Sequence, residues 1–224
     1  MISLTNEIPK LNLPLAEVVK INCTYESYKD IALFWTQDGT RAVISMLDGN
    51  MVIYNAGADM DELREFIAII SPQSVFSDAD TLTALFGVDF HKVCVMKTEQ
   101  KFVCDNLSDT VSSKEIYELL DVDGLDLPPY EYFAVDFCHR LNHGQLKYYA
   151  TKGKCAAVGI CDGQAVVVNG IASHKKGMGT QALAGLLSQY VLPCIAVCEE
   201  NIKPFYLKNN FSHAYYAGYW RKTP

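Results

Sequence analysis

The stretch Ser173-His174-Lys175-Lys176-Gly177-Met178-Gly179-Thr180 concentrates the residue types that could hold an anion. VVVNGIA runs in before it and TQALAGLLSQ runs out after it, a pattern of strand, tight loop and helix. Glycines at such a junction let a ligand approach the backbone, and the first N–H groups of a helix face outward there. Three uses compete. The plainest is a tight turn with surface lysines. A second is a dinucleotide fingerprint, since GMGTQA (177–182) fits G-x-G-x-x-A and Glu199 and Glu200 follow about 20 residues on. That fingerprint opens directly at a strand end with further strand–helix units after it, whereas here three antiparallel-looking runs precede it and little chain follows. The third use is a cradle for a pyrophosphate, with Lys175 and Lys176 adding positive charge. The spacing of a G-x-x-x-x-G-K-[ST] phosphate loop is absent.

A second stretch, NIKPFYLKNNF (201–211), combines Asn201, a short helical run carrying Tyr206, then Lys208 and Phe211. Taken alone, Tyr206 is as good a packing aromatic as a proton donor. Together the two stretches resemble the GNAT superfamily of N-acetyltransferases. HKKGMGT matches that family's loop (Gln/Arg)-x-x-Gly-x-(Gly/Ala), with His174 where Gln or Arg is usual. Asn201, Tyr206, Lys208 and Phe211 match its closing motif, with Asn210 in place of Gly. The resemblance covers roughly residues 112–221. It implies acetyl-CoA as cosubstrate and an amine acceptor that attacks the thioester directly. It further implies backbone contacts to the pantetheine arm near Ile171 and Ser173, a pyrophosphate site over residues 174–180, and Tyr206 as acid for the leaving thiolate. Asn201 accompanies them at the cofactor.

No base shows itself. Glu199, Glu200 and Asp136 are candidates beside a water relay. His139 and His143 flank a helix end, where capping or packing competes with catalysis. Cys198 shares a strand face with Cys194, so a buried thiol is the ordinary reading. Two functions stay open: an acetyltransferase acting on an amine of a small molecule, peptide or protein, and a non-catalytic acyl-CoA-binding module.

The elements that must position these residues are legible in order. SSKEIYELL and PPYEYFAVDFCHRLNHG read as helices, the first with a serine cap, the second running from prolines to glycine. QLKYYATKG, KCAAVGIC and QAVVVNGIAS read as strands, with Asp162-Gly163 as a hairpin turn. A helix near 178–190, a strand CIAVCEE, a helix near 202–209 and an aromatic strand FSHAYYAGYW complete the half. The N-terminal half repeats the order. TYESYKD is helix-like, RAVISMLDGNMVIYN is a hairpin about Asp48-Gly49, and MDELREFIAIIS is an amphipathic helix. SVFSD, TLTALF and HKVCVMK then give strand, helix, strand. The expected fold is therefore α/β: a GNAT domain over 109–224, with a mixed, mostly antiparallel sheet flanked by helices. An N-terminal α/β region, 1–108, would be its degenerate copy, with NAGADMD placing acids where the other half has lysines.

Composition narrows the field. The 224 residues are 50% hydrophobic and 20% charged, which is ordinary for a globular chain. Residues 1–125 hold 9 Lys/Arg against 20 Asp/Glu, and residues 126–224 hold 10 against 6, so the C-terminal half suits an anionic ligand. No basic stripe interleaved with aromatics suggests nucleic acid. No basic start followed by an apolar run marks a signal peptide, and no run approaches the ~20 apolar residues of a membrane span. The eight cysteines include no C-x-x-C pair and read as reduced thiols of a cytoplasmic protein. With five scattered histidines they offer no metal-ligand spacing. A monomer or a homodimer is expected.

Overall fold

The computed structural model describes residues 1–5, 32–123, 125, 127–161 and 163–222. The helix-like segment 24–30, Cys23 and Asp162 of the expected hairpin lie outside these. The described chain forms two compact units: Met1–Met96 with Val197–Pro224, and Lys97–Ala196. The element set repeats by halves of the sequence, while compactness groups the C-terminal segment with the N-terminal half.

In the first unit, strands β1 (Ile2–Leu4), β2 (Ala32–Gln37), β3 (Val43–Leu47) and β4 (Asn50–Tyr54) form an antiparallel run. Asp48 and Gly49, both at positive φ (48° and 76°), turn β3 into β4, which is the tight hairpin that Asp-Gly favours. Helix α1 (Met60–Ile70) crosses over to β5 (Ser74–Asp78), which lies parallel to β4. Helix α2 (Ala79–Phe86) and β6 (His91–Thr98) follow. The apolar face of α1 puts Leu63 and Ile67 into a core with Trp35, Ile44, Met51, Ile53, Val75 and Leu82.

The second unit uses the same plan. Helix α3 (Ser113–Leu120) begins in a reciprocal capping box: Ser112 Oγ accepts from the Glu115 N–H, and Glu115 accepts from the Ser112 N–H. Helix α4 (Tyr130–Asn142) comes next, then β7 (Leu146–Thr151), β8 (Cys155–Cys161) and β9 (Val166–Ser173), antiparallel in turn. Helix α5 (Met178–Leu187) crosses over to β10 (Cys194–Cys198), parallel to β9. A Cβ at Gly185 of α5 would overlap the fully buried Tyr149 ring, so only glycine lets this helix lie so close to β7.

The strand order in the second unit is β10-β9-β8-β7. Four backbone groups along the outer edge of β7 and just past its end are covered. Tyr148 O accepts from Gln189 Nε2, the Ala150 N–H reaches Ser108 Oγ, and Ala150 O accepts from the Asp109 N–H. The Lys152 N–H donates to the Asp109 carboxylate.

After β10 come helix α6 (Lys203–Lys208) and β11 (Ser212–Arg221) in the first unit. There the order is β1-β2-β3-β4-β5-β11-β6, so the last strand of the chain stands between β5 and β6. It runs antiparallel to β5 from Ala217↔Asp78 to Arg221↔Ser74. A Cβ at Gly218 would overlap the Phe90 ring, so glycine is needed where β11 passes the start of β6.

Candidate anion-binding loop and proton donor

Strand β9 pairs with β10 only from Val166↔Cys194 to Val168↔Ala196, although β9 runs on to Ser173. The register against β8 slips at Val158/Gly159, which leaves Asn169 as the extra residue of a bulge. The β8–β9 ladder continues past the strand end, because the His174 N–H donates to Lys154 O at 2.8 Å. Backbone groups alternate sides along a strand. Ile171 and Ser173 therefore turn their N–H and C=O away from β8, toward the side on which pairing with β10 has stopped.

The loop that follows is exposed at Ser173, His174, Lys175, Lys176 and Gly177. Gly177 holds φ 84°, a left-handed conformation that costs a residue with a Cβ roughly 1–2 kcal/mol. It is the N-cap of α5, so no side chain caps that helix, and its first turn holds no acid. The Met178 N–H meets Lys175 O, whereas Gly179 and Thr180 continue the first turn. Such a terminus presents backbone donors and the positive end of the helix dipole together. Ser173 Oγ donates to Lys175 O and steadies the turn. His174 does not extend over this terminus. Its Nε2 binds Leu119 O at 3.0 Å, tying the loop to the end of α3, so positive charge at the loop is left to Lys175 and Lys176. His174 also lines a cavity of about 390 Å³ with Val111, Glu115, Glu118, Leu119, Lys152 and Gly153.

The corresponding place in the first unit is built differently. Strands β4 and β5 pair over Asn50–Val52 and Ser74–Phe76, and Ser77 Oγ then donates to Ile53 O across the next step. Asn55, Thr81 and Asp78 add a hydrogen-bonded chain beyond it. The carboxylate of Asp59 caps α1 by accepting from the Asp61 and Glu62 N–H groups. The first turn of α5 has no side-chain cap, whereas Asp59 takes two first-turn donors of α1, with two acids beside them.

Asn201 and Tyr206 belong to the first unit. Asn201 is exposed in the turn before α6. The end of α6 explains the motif around Tyr206. Asn210 takes the left-handed conformation (φ 64°), the Phe211 N–H reaches Tyr206 O, and the Asn210 N–H reaches Leu207 O. This is a complete Schellman stop, with Asn in the place where glycine is usual. Its apolar contact is the edge-to-face pair of Tyr206 and Phe211, 5.1 Å between centroids. Burial, and then the neighbouring Cys198, push the Tyr206 hydroxyl well above the usual phenol range, so it carries its proton at neutral pH.

The candidate bases are engaged. Glu199 meets His91 Nε2 at 2.7 Å. Glu200 accepts from the Cys94 thiol and from Lys203, and these hold its carboxyl below its ordinary range. Asp136 pairs with the buried Arg140. His143 Nδ1 meets His139 O and the two rings lie 4.3 Å apart, the geometry of a helix end. Burial lifts the Cys198 thiol to about 12, and burial with the Glu200 contact lifts Cys94 to about 11, so neither is a ready nucleophile. Sequence reasoning passed over Lys203, which links Glu200 to the Tyr216 hydroxyl, and over the bulge at Asn169. The bulge had a signal, Asn-Gly inside an apolar strand; the Lys203 network, drawn from three elements, had none.

No protein-family pattern and no curated protein matches this sequence. Solved structures match it in fold. A protein from Pyrococcus horikoshii, provisionally called an acetyltransferase, has a TM-score of 0.55 at 9% identity, covering 100% of this chain and 89% of that one. A GCN5-related N-acetyltransferase from Sphaerobacter thermophilus has 0.53 at 11%, covering 86% and 80%. A tandem GNAT protein from the clavulanic acid biosynthesis pathway has 0.51 at 11%, covering 86% and 83%. With an antiparallel run, a crossover helix and then a parallel strand in each unit, the chain has the fold of the GCN5-related N-acetyltransferases.

Proposed function

We propose that this protein binds one acetyl-CoA per chain and transfers the acetyl group to a primary amine. Residues 109–224 act as the cofactor-binding repeat in this reading. The observation that carries it is the contrast between two helix starts in one molecule: α5 opens on Gly177 with no side-chain cap and two lysines before it, while the Asp59 carboxylate caps α1. The N–H groups of Gly177, Gly179 and Thr180 receive the pyrophosphate, and Lys175 and Lys176 balance its charge. The outward backbone groups of Ile171 and Ser173 hold the pantetheine amides. The amine lone pair attacks the thioester carbonyl carbon, the C–S bond breaks, and Tyr206 gives its proton to the departing thiolate. The ammonium proton leaves to water. A positioned acid of this kind contributes typically ~10²–10⁴-fold.

Calorimetry with coenzyme A tests the binding step. Replacing Gly177 and Gly179 together by valine is expected to abolish binding, and unchanged affinity would remove the loop from the site. The stoichiometry should be one per chain; two per chain would mean that the first unit's helix start also binds.

The engaged state of Glu199, Glu200 and Asp136 favours a second reading, an acyl-CoA-binding module without turnover. Loss of the thioester absorbance in the presence of a panel of primary amines separates the two. Binding without any loss supports the module.

A further inference from the structure

On the first unit, α1, α2 and the end of β11 enclose a groove of about 330 Å³. Ile67, Ala68, Leu85 and Phe86 give it apolar walls beside Trp220. The Phe86 and Trp220 rings stack face to face, 4.4 Å apart and 6° from parallel, so each covers one face of the other and the pair forms an aromatic end to the groove. Arg64 and Lys222 stand at the groove, and its lining includes no acid. Each of these cations is steadied by a partner that leaves donors to spare. Arg64 pairs with Asp61 and donates to Ala84 O at 2.7 Å, while Lys222 Nζ donates to the neutral Ser71 hydroxyl at 2.7 Å. A guanidinium has five N–H donors and an ammonium three.

We infer that this groove is a binding site for a small apolar anion, a carboxylate or sulfonate on a ring or short chain. A cleft of about 300–1,000 Å³, mostly apolar with a few fixed polar groups, is what small-ligand sites have in common. Here the apolar body lies against Ile67, Leu85 and the aromatic pair, and the anionic head meets Lys222 and Arg64 in charge-assisted hydrogen bonds. A neutral ligand forgoes the head contact, and a cation is repelled. The site shares no residue with the glycine loop or with α6, so it stands whether or not the chain binds coenzyme A.

The probe is 1-anilinonaphthalene-8-sulfonate, titrated into the full chain and followed by its own emission and by tryptophan quenching. Trp220 lies at the groove, and the other tryptophan, Trp35, belongs to the core cluster beneath it, so quenching reports binding on this unit. One probe molecule per chain should bind, and saturating coenzyme A should not displace it. Lys222→Glu should lower affinity at least tenfold, and Ala68→Trp should block the groove. Both positions are at the surface, and an unchanged near-ultraviolet dichroism spectrum certifies the fold of each variant. Competition by octanoate or by 2-naphthoate then tells a chain from a ring as the preferred body. Equal probe affinity in the wild type and in folded Lys222→Glu overturns the inference. Displacement by coenzyme A overturns it as well, because the probe would then occupy the cofactor loop.

Discussion

His174 stands where the family motif has Gln or Arg, and its ring is spent on the Leu119 carbonyl rather than on a ligand. Its expected role is to hold the loop. His174→Ala should weaken coenzyme A binding by about 2- to 10-fold, the worth of one hydrogen bond of ~0.5–1.5 kcal/mol, and His174→Gln, which keeps a donor, should restore most of it. Titration calorimetry measures both. Tyr206 has a different signature. Tyr206→Phe keeps the ring against Phe211 and removes the proton, so affinity should hold while turnover falls at least tenfold. Equal rates would leave Tyr206 a packing residue. The buried thiols set a pH limit. Cys94, Cys194 and Cys198 keep their protons to about 11, 12 and 12 in the folded chain, against about 9 when unfolded. Their contribution to stability is complete below pH 9 and is lost as pH rises through 11–12, which denaturant titrations from pH 8 to 11 should register as a falling midpoint. At this scale the sequence was readable wherever a residue's own backbone preference decides, as with Gly177 and Asn210 at positive φ. It was silent on Lys203, whose partner Tyr216 comes from another element.

Among the elements, the ends of helices were the most legible, because caps are local chemistry. The Ser112 cap was visible in the sequence, and the Ser112 and Lys152 contacts hold the Glu115 carboxyl down at about 2. That group's contribution is present above its unfolded value of 4.5 and disappears as pH falls toward 2. Ser112→Ala should cost about 0.5–2 kcal/mol by chemical denaturation at pH 7, with a smaller difference between the variants at pH 2. The strands were legible by alternation and turn residues, whereas their neighbours were not. Nothing local to SHAYYAGYWR says that it stands beside Ser74–Asp78. Gly185 is a similar case. It reads as a weak spot in a helix, yet Gly185→Ala, favourable for helix formation in isolation, should destabilise by roughly 1–3 kcal/mol because the methyl meets Tyr149.

For the whole molecule, the first unit is assembled from both ends of the chain, with β11 between β5 and β6. A chain stopped before Ser212 should leave the apolar edges of those two strands open and lose protection from hydrogen exchange throughout Ala32–Met96. Retained protection there would show that β11 is dispensable. The pairing that makes this so joins residues about 140 positions apart, which places it among the slow steps of folding. The covered edge of β7 bears on what happens to the protein at high concentration. A bare strand edge is a template on which a second chain can add, and repeated addition ends in fibres. Here Ser108, Asp109 and Gln189 already occupy four of the hydrogen-bonding positions that such a visitor would use. Freeing the Ala150 and Lys152 N–H groups, as in Ser108→Ala with Asp109→Ala, should leave the loop and Tyr206 untouched yet shorten the shelf life of a concentrated solution, seen as earlier light scattering.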